Sequence, residues 1–406
     1  MKKRLISLML ASAMVLSLAA CGGSSTQAPA ANEPAAEEAA EEEAEAPAEE
    51  AAEAPAEGEA GDMRVAMVTD YGDITDQSFN QTTYEASKAF CEANGIDFTY
   101  YKPEGDSDAE RVAMIDKAVE DGYNVVVLPG FAFANAIYET APMYPDLKIV
   151  ALDVSEGDLT AYGEREFAAD NVFSAVYQEE LAGYMAGYAA VKLGYTKLGF
   201  LGGMAVPAVI RYGYGFVQGA DDAAAETGDA LEIKYAYGNQ FFGDADITAA
   251  MDTWYSGGTE VVFACGGGIF TSAAEAAAKV DGKVIGVDVD QSGTIDGGYG
   301  AGMTVTSAMK GLAATVDTLL SAIKDGNWGE YAGKIENLGI VSGTDPEANY
   351  VQIPMSTTQW ADGFTQDDYK ALVAGMADGS ITVSNDISAE QPSAENATID
   401  FQGNLK

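Results

Sequence analysis

The chain has 406 residues, 48% of them hydrophobic, and a formal net charge of −43. It contains no histidine, which excludes Ser-His-Asp and Cys-His catalysis and every histidine-ligated metal site. The acidity argues against nucleic acid and anionic lipid as partners of the folded part and disfavours phosphate esters, so a neutral or cationic small molecule is the better ligand class.

Residues 1–20 read as a processing signal. Lys2, Lys3 and Arg4 precede an apolar run from Leu5 to Ala20, shorter than the ~20 residues that a membrane-spanning helix needs. Small residues then lead directly to Cys21, a pattern similar to a bacterial lipoprotein box; it implies cleavage before Cys21 and a lipid anchor on its sulfur. Residues 21–62 form a spacer of Ala, Glu and Pro with twelve Glu, one Asp and no basic residue. Like charges and a lack of apolar side chains keep such a segment extended, with an end-to-end distance of roughly 35 Å or more.

From residue 63 the pattern alternates apolar runs with helical stretches. Strands are predicted at 63–70, 96–103, 123–130 and 147–155, the first three each followed by a helical pattern, with Phe79 opening the first helix. The rhythm restarts with the small-residue helix EELAGYMAGYAAVKLG, then a strand at 197–204 and the runs LEIKYAYG, EVVFACGGG and KVIGVDVD, again with helices between them. Strand–helix alternation implies two doubly wound parallel sheets, hence an α/β chain of two lobes. The expected division is 63–168 plus about 305–335 for one lobe and 169–304 plus about 336–406 for the other. In such sheets ligands sit beyond the carboxyl ends of the strands, which singles out Asp70, Gly130, Asp153, Gly202, Gly266 and Asp288. Cys91 and Cys265, far apart in sequence, read as isolated buried thiols.

The loop GVDVDQSGTIDGGYG raises a second possibility. Asp288, Asp290, Ser292, Gly293 and Asp296 fall in the register of a calcium loop, and Ile295 at position eight suits one, so that reading stays open. Against it, a β-branched run rather than a helix enters the loop, and Tyr299 stands where a bidentate Glu belongs. The better reading makes Asp288 a strand-end carboxylate facing a cleft, with no metal and no cofactor.

Six stretches, in order, resemble the basic membrane protein (PnrA-like) substrate-binding lipoproteins of ABC transporters. They are TDYGDITDQSFNQTTYEA, LPGFAFANAIYETAPMYPDLKIVALD, YQEELAGYMAGYAA, LGFLGGMAVPAVIRYGYGFVQGA, IGVDVDQ and TSAMK. The resemblance covers roughly residues 63–320. It implies a type I periplasmic-binding fold, a ligand clamped between two lobes, delivery to an ABC permease, and a purine nucleoside as ligand. It implies further that Phe79 and Phe242, with the adjacent Phe241 as the alternative register, stack on the base, that Asp70 and Asn80 lie near it, and that Asp288 and Lys310 hold the ribose, with Gly266 close by. Asp153, at the end of the second motif, joins them as a ligand-binding candidate. The sequence departs from the family at Tyr71-Gly72-Asp73.

Other readings of the same residues remain. Phe79 could be core, Asp70 a helix cap, and Lys310 a solvated helix lysine. The fold could serve a receptor for a sugar or another neutral polar ligand. An enzyme is disfavoured by the missing nucleophile–base pairing, and an ion-binding surface protein would need the Asp288 loop. Residues 336–406 are expected to complete the second lobe.

Overall fold

The computed structural model describes residues 63–70, 72–163 and 167–406. The expected signal peptide, Cys21 and the acidic spacer lie outside them. In the first half, β1 (Arg64–Val68), α1 (Phe79–Asn94), β2 (Asp97–Tyr101), α2 (Asp108–Glu120), β3 (Val125–Pro129), α3 (Ala134–Thr140) and β4 (Lys148–Leu152) alternate as the apolar rhythm predicts, and α4 (Glu156–Gly163) and β5 (Val172–Tyr177), which that rhythm did not reveal, extend the series. The second series runs α5 (Glu179–Lys192), β6 (Lys197–Gly202), α6 (Pro207–Thr227), β7 (Leu231–Tyr237), α7 (Ala245–Ser256), β8 (Val261–Cys265), α8 (Phe270–Ala277), β9 (Lys283–Asp288), α9 (Ser292–Tyr299) and β10 (Thr304–Lys310). Then follow α10 (Leu312–Lys324), β11 (Ile335–Leu338), β12 (Val351–Gln352), α11 (Gln366–Asp378) and β13 (Ala397–Asn404).

Two sheets result. The first has the order β11-β5-β4-β3-β1-β2 and the second β12-β10-β9-β8-β6-β7-β13. Every pairing in both is parallel except that of β12 with β10. The central strands are buried along their whole length, as in β3 (VVVLP) and β8 (VVFAC), because helices cover both faces of a parallel sheet.

The sheets divide the chain differently from the expected boundaries. β5 pairs with β4 in the first sheet, so the first crossing falls at Gln178 rather than near residue 168. β10 pairs with β9 in the second sheet, and only then does α10 return to pack on α1. β11 closes the first sheet beside β5, and the chain crosses again before β12. The physical reason is hydrogen bonding: each of these strands completes an open parallel edge, a constraint that apolar rhythm does not encode.

The small-residue helix α5 has a specific use. A Cβ on Gly183 would stand 2.1 Å from the Tyr212 carbonyl oxygen, and one on Gly215 2.0 Å from that of Glu180. Glycines on α5 and α6 therefore bring the two backbones into direct contact. That contact fixes the N-terminal ends of both helices, with Glu179, Glu180, Arg211 and Tyr212, under the cleft.

Candidate ligand cleft

A cavity of about 730 Å³ lies where the carboxyl ends of both sheets face each other. Asp70, Phe79, Asn80, Asp153, Phe242, Gly266, Asp288 and Lys310 all line it. Chain folding thus gathers into one wall residues that are as far as 240 positions apart in sequence.

The charged centre is Lys310, the last residue of β10. It is buried and not a solvated helix lysine: its Nζ lies 2.5 Å from Asp153 Oδ2, 3.4 Å from Glu179 Oε1 and 3.7 Å from Asp288 Oδ1. Burial alone would lower its pKa, but the carboxylates of Asp153, Asp288 and Glu179 outweigh that cost and hold it above the ordinary lysine value. Burial pushes the Asp153 carboxyl up to about 6, against the pull of Lys310. Glu179 also accepts a hydrogen bond from Arg211 Nε at 2.7 Å, so this carboxylate links both cavity cations.

Asp153, just after β4, and Asp288, the last residue of β9, are both in the left-handed conformation, at φ +61° and +65°. Gln77 and Asn239, also on the cavity wall, share it at φ +57°. Such conformations cost free energy, of order 1–3 kcal/mol each, and cluster where the surrounding structure must aim a side chain. Here they turn strand-end carboxylates sideways toward Lys310.

The aromatic part of the wall lies beside this cluster. The Lys310 ammonium sits 4.6 Å from the centroid of Phe79, a half-buried ring at the start of α1. On the other lobe Phe241 and Phe242 are not equivalent. Phe242 is 60% exposed, whereas Phe241 lies on a glycine floor. A Cβ on Gly203 would meet the Phe241 ring at 2.4 Å and one on Gly266 at 3.1 Å. Gly266 is needed first for the close approach of the Gly203 backbone, which an added Cβ would meet at 2.8 Å, and the ring bordering both glycines is Phe241.

Asp70 is not the cap of α1, whose cap position is Ser78; the acid that serves the first turn lies elsewhere. It is Asp76, two residues before the cap, whose carboxylate accepts the backbone N–H groups of Ser78, Asn80 and Gln81 at 2.9–3.0 Å. Asp70 accepts the Gly72 N–H at 2.6 Å and is buried under Gly130, where a Cβ would come within 2.9 Å of its Oδ2. The buried atoms Asn80 Oδ1, Asp153 Oδ1 and Tyr212 OH have no hydrogen-bond partner among the described residues and belong to residues of the cavity wall. Buried polar atoms in that state call for a partner, and a ligand can supply one.

The two lobes touch here. Ser78 Oγ donates to Asp288 Oδ2 at 2.6 Å, and Gln291 Nε2 donates to the Gln77 carbonyl at 3.0 Å. Sequence reasoning missed Ser78, Phe131, Glu179, Arg211 and Tyr212, and it put Phe242 ahead of the adjacent Phe241. The Glu pair opening α5 and the Arg-Tyr pair near the start of α6 carried a signal, since charge at the first turn of a small-residue helix faces the strand ends.

The calcium-like loop serves other bonds. Asp290 Oδ1 accepts the Ser292 N–H and its Oδ2 the Thr357 hydroxyl, while Asp296 accepts from Gly302 and Thr304. With Asp288 turned to Lys310, the acids do not converge, and no cluster among the described residues could hold a metal ion. Cys91 and Cys265 are buried free thiols.

Residues 63–344 match the family described as ABC transporter substrate-binding protein, PnrA-like. The chain belongs to this family. Members of the PnrA-like family are substrate-binding proteins of ABC transporters, not enzymes. Among curated relatives, the ABC transporter nucleoside-binding protein BmpA of Lactococcus lactis is 30% identical over 288 residues, covering 66% of this chain and 76% of the relative. A lipoprotein of Pyrococcus abyssi is 26% identical, covering 70% of this chain and 68% of its own. An ABC transporter solute-binding protein from Conexibacter woesei superposes with a TM-score of 0.60 at 21% identity, over 80% of this chain and 99% of that one. The fold of this PnrA-like chain is accordingly the type I periplasmic-binding fold. Among the described residues, no helix is long and apolar enough to cross a membrane.

Proposed function

We propose that the protein is a lipid-anchored receptor outside the cytoplasm that captures purine nucleosides between its lobes and passes them to an ABC permease. The observation that carries this reading is the juxtaposition of Lys310, between Asp153 and Asp288, with the Phe79 ring 4.6 Å from its ammonium. A nucleoside has a matching construction, a flat π-face joined to a ring of hydroxyls. Stacking on a base contributes about 1–3 kcal/mol per ring. A hydrogen bond from a hydroxyl to a charged group contributes about 1.5–3 kcal/mol. Two rings and two or three such bonds leave roughly 8 kcal/mol after association costs, which is micromolar binding. The nucleotide forms are disfavoured, because a phosphate would enter a wall holding Asp70, Asp153 and Asp288. The name of the Lactococcus relative supports the same ligand class.

Titration calorimetry with inosine, guanosine, adenosine, AMP, D-ribose and glucose tests the proposal. Heat from at least one purine nucleoside is expected, with none from AMP. If D-ribose or glucose binds and no nucleoside does, the sugar-receptor reading replaces it. The anchor rests on Cys21 and the small residues before it. Cys21→Ala should abolish palmitate labelling and release the protein from the membrane fraction; labelling that persists would remove the anchor from this cysteine.

A further inference from the structure

The last residues of the chain brace the wall of the cleft. After α11, residues 384–396 cross the outer face of α6, held at successive turns. Gln218 and Ser384 exchange two hydrogen bonds, Tyr214 OH donates to the Ala389 carbonyl, and the Asp221 carboxylate accepts the N–H groups of Glu395 and Asn396. The segment then becomes β13, the edge strand beside β7. Because this pairing is parallel, β13 ends at the carboxyl edge of the sheet, where the ligand cavity opens. Asn404 lies opposite Tyr237, the Leu405 N–H donates to the Tyr237 carbonyl, and Lys406 arrives beside the 239–244 loop.

That loop carries Phe241 and Phe242. The Lys406 ammonium is paired with the Asp244 carboxylate and lies 3.4 Å from Gln240 Oε1 and 3.8 Å from Asp246 Oδ2. Asp244 is the cap of α7, accepting the Asp246 and Ile247 N–H groups at 3.0 Å, and it also accepts from Gln240 Nε2. The same Gln240 amide donates to the Phe242 carbonyl at 2.9 Å. A continuous set of bonds thus runs from Lys406 through Asp244 and Gln240 to the backbone of the aromatic loop. Residues 384–406 lie beyond the 63–344 stretch that matches the family.

We propose that Lys406, delivered by β13, is a positioning residue that fixes the 239–244 loop and thereby the affinity for the flat part of the ligand. The affinity arm rests on the nucleoside reading; the loop arm does not. Without the ammonium, Asp244 and Gln240 keep the direct bond between them but lose the cation that ties both to the end of β13, and the loop gains conformations that place Phe241 off its glycine floor.

The test uses amide hydrogen exchange on the ligand-free full chain, with wild type, Lys406→Ala and Lys406→Arg side by side. Exchange in a peptide covering 239–247 is expected to quicken about tenfold in Lys406→Ala while β8 and β9 stay unchanged, and to return to the wild-type rate in Lys406→Arg. Inosine affinity, measured on the same proteins, should fall about threefold to tenfold and recover in the Arg variant. Unchanged exchange at 239–247 overturns the proposal. So does quickened exchange spread over the whole second lobe with a lowered melting temperature, which would make the segment a general stabiliser. If the loop quickens but a wild-type protein that binds inosine loses no affinity, the loop's placement does not govern the ligand and the proposal falls. If the wild type binds no nucleoside, the functional reading fails, and the exchange result alone decides whether Lys406 positions the loop.

Discussion

The ammonium of Lys310 lies 2.5 Å from the Asp153 carboxylate, although β10 and β4, the strands that bring them there, belong to different sheets. This ion pair joins the lobes at the cavity wall, and Asp288 and Glu179 share the same cation. Removing the cation leaves three buried carboxylates facing one another. Lys310→Met is therefore expected to destabilise the body by about 3–5 kcal/mol, the cost of breaking a buried pair from one side. Asp288→Asn keeps the shape and a hydrogen-bonding group, so it should fold normally while weakening nucleoside binding by about 2 kcal/mol. Urea denaturation and calorimetry separate the two effects. Wild-type affinity in Asp288→Asn would remove that residue from the ligand's contacts.

The pH dependence follows from two buried acids. Burial raises the Asp153 carboxyl to about 6 and that of Glu180 to about 7, above the ordinary values near 4. The folded state then binds these protons more tightly than the unfolded chain. Their contribution to stability is complete below about pH 4 and is lost as pH rises through 6 and 7. The ligand-free protein should thus melt at a higher temperature at pH 5.5 than at pH 8. Glu180→Gln removes one of these ionisations and should flatten the dependence, stabilising the protein at pH 8 by roughly 1–3 kcal/mol. Melting curves for both proteins at several pH values decide; identical slopes would show that Glu180 does not titrate in this window.

The alternation of β-branched runs with amphipathic stretches was enough to read two parallel sheets and the strand ends that face the cleft. Asp70, Asp153 and Asp288 were legible for that reason, since a lone acid after four buried residues has few other places to go. Partners made by folding were not. Nothing in the order of residues states that Lys310 meets Asp153 rather than water, or that β5 joins β4 before the chain crosses. Asp76, not Asp70, accepts the first-turn N–H groups of α1, and both occupy a Gly/Asp/Ser turn of similar composition. Only the helix's true first residue distinguishes them.

The neighbouring rings Phe241 and Phe242 offer a sharper test of the aromatic wall. Phe241 rests on Gly203 and Gly266, which leaves it little freedom to lose on binding, whereas Phe242 is largely in solvent. A preordered ring contributes more of its stacking energy to affinity. Phe241→Ala should therefore weaken inosine binding by about 1–3 kcal/mol, and Phe79→Ala by a similar amount. Phe242→Ala should cost less than Phe241→Ala. Calorimetric titration of the three variants ranks them; a larger loss at Phe242 would show that the lobes move enough on closing to bring the exposed ring onto the ligand.

The contact between α5 and α6 should be the least tolerant place in the second lobe. A methyl group on Gly215 would stand 2.0 Å from the Glu180 carbonyl oxygen and 2.7 Å from its Cα, both backbone atoms that cannot rotate away. The helices would have to separate, and with them the pairing of Arg211 on α6 with Glu179 on α5. Gly215→Ala is expected to destabilise the protein by at least ~1–3 kcal/mol, as overpacking does. It should also lower ligand affinity, because Glu179 would no longer hold both Arg211 and Lys310. Gly228→Ala is a useful control for backbone strain without crowding, since that left-handed helix-terminal glycine has nothing within 4 Å of an added Cβ. It should lose stability but not affinity. If Gly215→Ala behaves in the same way, the geometry at the base of the cleft does not depend on how closely these helices approach.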